Sequence, residues 1–248
     1  LIAGYADHGC GEEALHHFEN MKSEGNIPPD DATLVCALKA CGCIETLNEG
    51  QNVHTEIVEK GLEKDAIIGG SLVDMYAKCG LLTEAQSVFD KLPIHDHISW
   101  NALMTGYALQ GESSDVFHIF DRMIRANIPP SLLTFINVLN ACSHDGLVDE
   151  AQTCFEIIVE YGSLPMLEHY TCMADLLGRT GHIDRALVLL EKMPWNADIV
   201  AWHTMLDACR KWGSVEYGKK AFEQAIMLDE MDASAYLYMS GIFADAGM

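Results

Sequence analysis

The chain has 248 residues, 49% hydrophobic and 21% charged, with 15 basic against 37 acidic side chains and a formal charge of −22. This composition excludes disordered, collagen-like and low-complexity classes, and no apolar run approaches the roughly 18–20 residues of a membrane span. Taken alone, the acidity speaks against nucleic acid, whose phosphates need Lys and Arg nearby.

Leu1 opens inside a pattern already under way, with no basic n-region of a secretory signal. Nine cysteines, at 10, 36, 41, 43, 79, 142, 154, 172 and 209, are an odd number without close clusters. They read as free thiols in a reducing compartment, and most act as small hydrophobes inside helical patterns. Cys41-Gly42-Cys43 has a one-residue gap, not the two-residue gap of a zinc site.

A tandem repeat emerges from three columns of residues. Phe18, His54, Phe89, Phe120, Phe155, Leu190 and Phe222 are separated by steps of 36, 35, 31, 35, 35 and 32. Ala14, Gly50, Ala85, Val116, Ala151, Ala186 and Gly218 share those steps, as do Gly9, Glu45, Gly80, Gly111, Gly146, Gly181 and Gly213. The columns define a tandem array of about seven units and a partial eighth. Each full unit reads as two helices. In 66–96, Thr83 is placed as the cap of the run Glu84 to Phe89, and Pro93 as its terminator. In 97–131, Ser99 is the expected N-cap of the first helix and Gly111 its stop, where glycine can take the left-handed conformation. Val116, Ile119, Phe120 and Met123 then recur at helical spacing until Pro129-Pro130. One helix pair cannot bury its apolar face alone, so the units must stack. The expected fold is all-α, a right-handed superhelical solenoid of tandem helix-turn-helix repeats.

The unequal steps and the absence of a Trp-Leu-Gly-Tyr spacing argue against a tetratricopeptide array. Several stretches instead resemble the plant organellar pentatricopeptide repeat proteins that mix P, L and S motifs. Ser99-Trp100-Asn101-Ala102-Leu103-Met104-Thr105-Gly106-Tyr107-Ala108 resembles a P motif. Ser71-Leu72-Val73-Asp74-Met75-Tyr76-Ala77-Lys78-Cys79-Gly80 resembles an S motif, and Leu38-Lys39-Ala40-Cys41 and Val138-Leu139-Asn140-Ala141-Cys142 resemble L motifs. Glu168-His169-Tyr170 with Asp175-Leu176-Leu177-Gly178-Arg179 is similar to a last S motif. Trp202, Asp207-Ala208-Cys209-Arg210 and Gly213-Ser214-Val215-Glu216-Tyr217-Gly218 resemble the E-type extension that follows it. In those terms the units run partial P (1–30), L (31–65), S (66–96), P (97–131), L (132–166), last S (167–198), E-type (199–232) and truncated second E-type (233–248), and the resemblance implies a piece of a longer protein.

What the resemblance implies is single-stranded RNA bound at about one base per repeat, in a mitochondrion or chloroplast. The family's code positions are the fifth and last residues of a motif. They fall on Asn101 and Ser131, with a pyrimidine expected; on Thr171 and Asp198, with a purine, most often G; and on Gly70 and Asp96, poorly specified. The L-motif pairs, Val35 with Asp65 and Ile136 with Met166, are apolar at the fifth place and are expected not to read. Ile67 and Ile98 fall where the family places an apolar wedge between bases, and Glu168 departs from that pattern. Plain packing remains the alternative for both isoleucines, and a surface role for Asn101 and Thr171.

Sorted by helix, the charge is uneven. First-helix positions hold five basic and eight acidic residues, a net of −3, and the remainder carries −19. Lys78, Arg179 and Lys211 share one motif position and are expected to face phosphate on the inner side, with weak, salt-sensitive affinity.

E-type extensions in this family often precede a cytidine deaminase domain. His54-Thr55-Glu56 matches half of a deaminase signature, but it lies in a packing column and the chain has no Cys-x-x-Cys. No enzyme activity, metal, cofactor or small-molecule substrate is expected here, and His16-His17 is read as helix surface. The expected role is to position a transcript for C-to-U editing, or other RNA processing, by a deaminase in cis or in trans. The rival reading is a scaffold that binds a basic peptide, or editing cofactor proteins on the L motifs at 31–65 and 132–166.

Overall fold

A computed structural model describes residues 1–23, 27–160 and 164–247, and within them the chain forms fifteen α-helices and no strand. It divides into two compact units, Leu1–Ser131 and Leu132–Met248. The first holds α1 (Ile2–Asp7), α2 (Gly11–Ser23), α3 (Asp31–Cys43), α4 (Leu47–Glu59), α5 (Ala66–Lys78), α6 (Leu82–Lys91), α7 (His97–Leu109) and α8 (Ser113–Arg125). The second holds α9 (Leu132–Asp145), α10 (Val148–Glu160), α11 (Leu167–Arg179), α12 (Ile183–Glu191), α13 (Ile199–Lys211), α14 (Val215–Leu228) and α15 (Ala233–Asp245).

Both units are built the same way. In the first, α1, α3, α5 and α7 pack side by side, while α2, α4 and α6 each pack on their own first helix and on the next one. In the second, α9, α11, α13 and α15 form the row, with α10, α12 and α14 behind it. The all-helical tandem architecture expected from the columns is what the chain adopts.

The columns have physical causes. Ala14, Ala85, Val116, Ala151 and Ala186 are completely buried, and Phe18 and Phe89 nearly so. Gly50 sits where a Cβ would lie 2.6 Å from Met75 Sδ of the next unit. At Gly218 a Cβ would lie 2.8 Å from Ile242. The small residue is therefore set by the approach of the following first helix. The glycine column is a column of backbone conformation. Gly9, Gly80, Gly111, Gly146, Gly181 and Gly213 all have φ between 64° and 87°, and Gly247 continues the series at 70°. Glu45, the one non-glycine in the column, adopts the same turn at φ 54°.

Two caps differ from expectation. Helix α7 starts at His97, with Asp96 as N-cap, and Ser99 supplies the N–H that Asp96 Oδ1 accepts at 2.8 Å. A carboxylate satisfies that N–H and also interacts favourably with the positive end of the helix, so the aspartate takes the place given to the serine. Helix α6 starts at Leu82 without a side-chain cap, and Thr83 Oγ1 donates to Glu84 at 2.6 Å. The turn after Gly80 runs straight into the helix, which leaves Thr83 inside it.

Candidate nucleic-acid interface

The starts of the first helices carry the positions expected to read bases. Aspartates stand at five of these starts: Asp30, Asp65, Asp96, Asp198 and Asp232 cap α3, α5, α7, α13 and α15. Each gives Oδ1 to backbone N–H groups of its own helix at 2.8–3.1 Å. Asp96 and Asp198 thus commit one carboxylate oxygen to the fold.

Asn101 is 5% exposed, and its Nδ2 donates to Ser131 Oγ at 3.0 Å. The expected fifth-and-last pair is in direct contact, with the amide oriented by the hydroxyl. Thr171 is half-buried and gives its hydroxyl to Leu167 O at 3.0 Å, within its own helix. Gly70 is buried, and an added Cβ there would make ordinary contact with Ser99 Cβ at 3.9 Å, so the position offers no hydrogen-bonding side chain. Ile67 and Ile98 are 69% and 58% exposed, which removes plain packing as their role.

A second pair of the Asn101–Ser131 type was missed. His203 Nε2 donates to Asp232 Oδ2 at 2.5 Å, and these are the fifth and last residues of 199–232. The hydrogen bond from His203 holds the Asp232 carboxyl below the ordinary aspartate value. Counting the code positions through that unit is the signal that would have found it.

The three expected phosphate-facing cations are already engaged. Lys78 Nζ lies 2.7 Å from Asp74 and Arg179 Nε 3.1 Å from Asp175, both four residues apart on one helix. Lys211 donates to Arg179 O at 3.2 Å and lies over the Trp212 ring. In the second unit Arg179 and Lys211 line a cavity of about 450 Å³ together with His144, Asp175 and Asp207. Such partly exposed pairs contribute under about 1 kcal/mol, so an incoming phosphate can displace the carboxylate at small cost.

The start of α11 is built differently. Met166 offers no carboxylate, and its N–H donates to Nδ1 of the fully buried His169 at 3.1 Å. His169 Nε2 then donates to Leu132 O at 3.0 Å, tying α11 to the start of α9. Burial lowers the His169 pKa.

The half-match to a deaminase is structural. His54 Nδ1 and the Tyr76 hydroxyl are hydrogen-bonded at 2.7 Å, while Glu56 pairs with Lys22 at 3.0 Å and Lys60 at 3.3 Å. No group of three or more metal-ligating side chains occurs among the described residues. Burial pushes the thiols of Cys41, Cys142, Cys154, Cys172 and Cys209 up to about 12, which makes them inert packing groups.

Stacked two-helix units with aspartate caps at five first-helix starts define a helical-repeat protein. Sequence comparison identifies the repeats. The PPR repeat matches at 1–26, 70–95, 133–163, 168–196 and 200–230, and the PPR repeat family at 95–144. The chain belongs to the pentatricopeptide repeat family. Its relatives include a mitochondrial pentatricopeptide repeat-containing protein of Arabidopsis thaliana, 38% identical over 250 residues, covering all of this chain and 28% of the relative. The chloroplastic protein CRR2 of the same plant is 36% identical over 250 residues, covering all of this chain and 38% of its own length. The chain thus spans about a third of these relatives. Among solved structures, the repeat protein PPR10 in complex with an 18-nt psaJ RNA element superimposes with a TM-score of 0.80 at 19% identity. That match covers all of this chain and 37% of the other, and it speaks for the fold.

Proposed function

We propose that this chain is part of an array that binds single-stranded RNA and reads it at about one base per repeat. The observation that carries the reading is the Asn101–Ser131 hydrogen bond, an amide held by its code partner with Ile98 exposed on the first turn of the same helix. Asn101 is the discriminating residue, and its preference is for a pyrimidine. Thr171 with Asp198 favours a purine, and Gly70 with Asp96 tolerates several bases. Lys78, Arg179 and Lys211 meet phosphate by exchanging their present partners.

The units follow the P, L and S classes named above and end in E-type motifs. In the longer protein the array positions an organellar transcript for C-to-U editing by a deaminase in cis or in trans. Mitochondrial and chloroplastic relatives support the organelle. Editing cofactor proteins dock on 31–65 and 132–166. The chain itself performs no catalysis.

Titration of labelled 12-nucleotide RNAs tests the reading. Binding should be salt-dependent, and Asn101→Ala should weaken a pyrimidine-containing target by about 5–10-fold, or 1–1.4 kcal/mol. Absence of salt-dependent binding, with Asn101→Ala silent, rejects it. The engaged cations favour a second reading, a protein-binding scaffold, which that same outcome would leave standing.

A further inference from the structure

We infer that the unit at 199–232 holds an additional nucleobase-binding position, with His203 as the contacting residue and Asp232 as its positioning partner. This rests on the RNA-binding reading above and extends it into the E-type unit, where the sequence assigned no reader.

Three observations coincide there. The fifth residue, His203, is hydrogen-bonded to the last residue, Asp232, as Asn101 is to Ser131. The second residue, Val200, is apolar and 56% exposed, in the same range as Ile67 at 69% and Ile98 at 58%. Its first helix, α13, starts on the aspartate Asp198, as α7 starts on Asp96. The unit before it, 167–198, lacks all three, and its first helix starts on Met166. Its second residue is the exposed Glu168, and the hydroxyl of its fifth, Thr171, is spent inside its own helix.

The chemistry divides the roles. Asp232 is nearly enclosed, its side chain 9% exposed, with Oδ1 accepting from Ser234 N at 3.1 Å and Oδ2 from His203. Both oxygens are engaged, so the carboxylate cannot itself meet a base without breaking the cap. The His203 side chain is 25% exposed. With Nε2–H given to Asp232, the ring presents Nδ1 outward as the atom that can hydrogen-bond a base edge. Val200 supplies an apolar surface against which a base face can rest. The ligand is one base of a single-stranded RNA, placed beyond those met by the earlier units.

Selection from a pool of randomised RNA against the full chain tests this. Counting units along the sequence, His203 lies three repeats after Asn101, so its base should fall three nucleotides from the one Asn101 reads. His203→Ala should flatten base preference at that position and weaken the selected RNA by about 5–10-fold, leaving the Asn101 position intact. His203→Gln, which retains a donor toward Asp232, should change which base is selected. If Asn101→Ala flattens its column while His203→Ala and His203→Gln change none, the extension is wrong and the RNA reading stands. If His203→Ala weakens all sequences equally and lowers the unfolding temperature, the pair is a structural brace and the extension is wrong. If no RNA is enriched by the unsubstituted chain, both readings fall.

Discussion

Helix α11 and its counterparts α3, α5, α7, α13 and α15 occupy equivalent places in successive repeats, yet they are started by different chemistry. Five begin on an aspartate that accepts N–H groups of its own first turn. Helix α11 begins on Met166, and the buried His169 three residues later accepts from Met166 N and donates to Leu132 O. An aspartate cap is local, serving one helix. The histidine ties two neighbouring first helices and is itself fully buried. An equivalent backbone geometry is therefore held by a peripheral contact in one case and by a core contact in the other.

The sharpest way to break the comparison is to remove the histidine. His169→Ala deletes a fully buried ring and orphans the Met166 N–H and the Leu132 carbonyl, which should cost about 2–4 kcal/mol. Urea unfolding monitored in the 132–248 half checks it. The same residue gives a pH signature. Burial lowers its pKa in the folded state, so its stabilisation is complete above the ordinary histidine value of about 6.5. It is lost as pH falls through that value toward the lower folded one, because the unfolded chain then binds a proton the folded chain refuses. His169→Leu should remove this component of the slope between pH 7.5 and 5. An unchanged slope would show that other groups carry it.

An aspartate cap should respond less. Asp96→Ala should destabilise by about 1 kcal/mol and Asp96→Asn by a few tenths, since asparagine caps equally well. Thermal unfolding of the two variants side by side makes the test. Equal losses would mean that the charge of Asp96, rather than its acceptor atom, is what α7 uses.

Much of this molecule was readable in advance for a definite reason. The small-residue and glycine columns are imposed by contacts and φ values that recur in every unit, such as Gly50 against Met75, so they leave periodic traces in the sequence. The caps were misread because Ser99 and Asp96 are both good N-cap types, and only the helix start decides between them. The register of Lys78 and Arg179 was legible. Their pairing with Asp74 and Asp175 could also have been read from the four-residue spacing, had charges been paired rather than summed. His203–Asp232 joins residues 29 apart that only the repeat register pairs, and His169–Leu132 joins residues 37 apart that no local pattern encodes.

The other end of the first helices supplies the smallest effect and the cleanest one. Where the starts vary, the ends are alike, with the turn after each first helix in the left-handed region, and only Glu45 enters it with a side chain. A non-glycine residue there costs about 1–2 kcal/mol in sterics, part of which glycine gives back through the greater freedom of the unfolded chain. Glu45 is exposed, so removing its side chain opens no cavity. Glu45→Gly should therefore stabilise the chain by about 0.5–1 kcal/mol and raise the melting temperature by about 1–4 °C. The mirror substitution isolates the cause. At Gly111 an added Cβ would meet nothing within 4 Å, so Gly111→Ala should lose a similar amount through backbone strain alone. If Gly111→Ala is neutral while Glu45→Gly stabilises, the gain comes from relieving the acidic charge of −22 and not from the turn. Glu45→Gln, which removes the charge and keeps the Cβ, would then reproduce it.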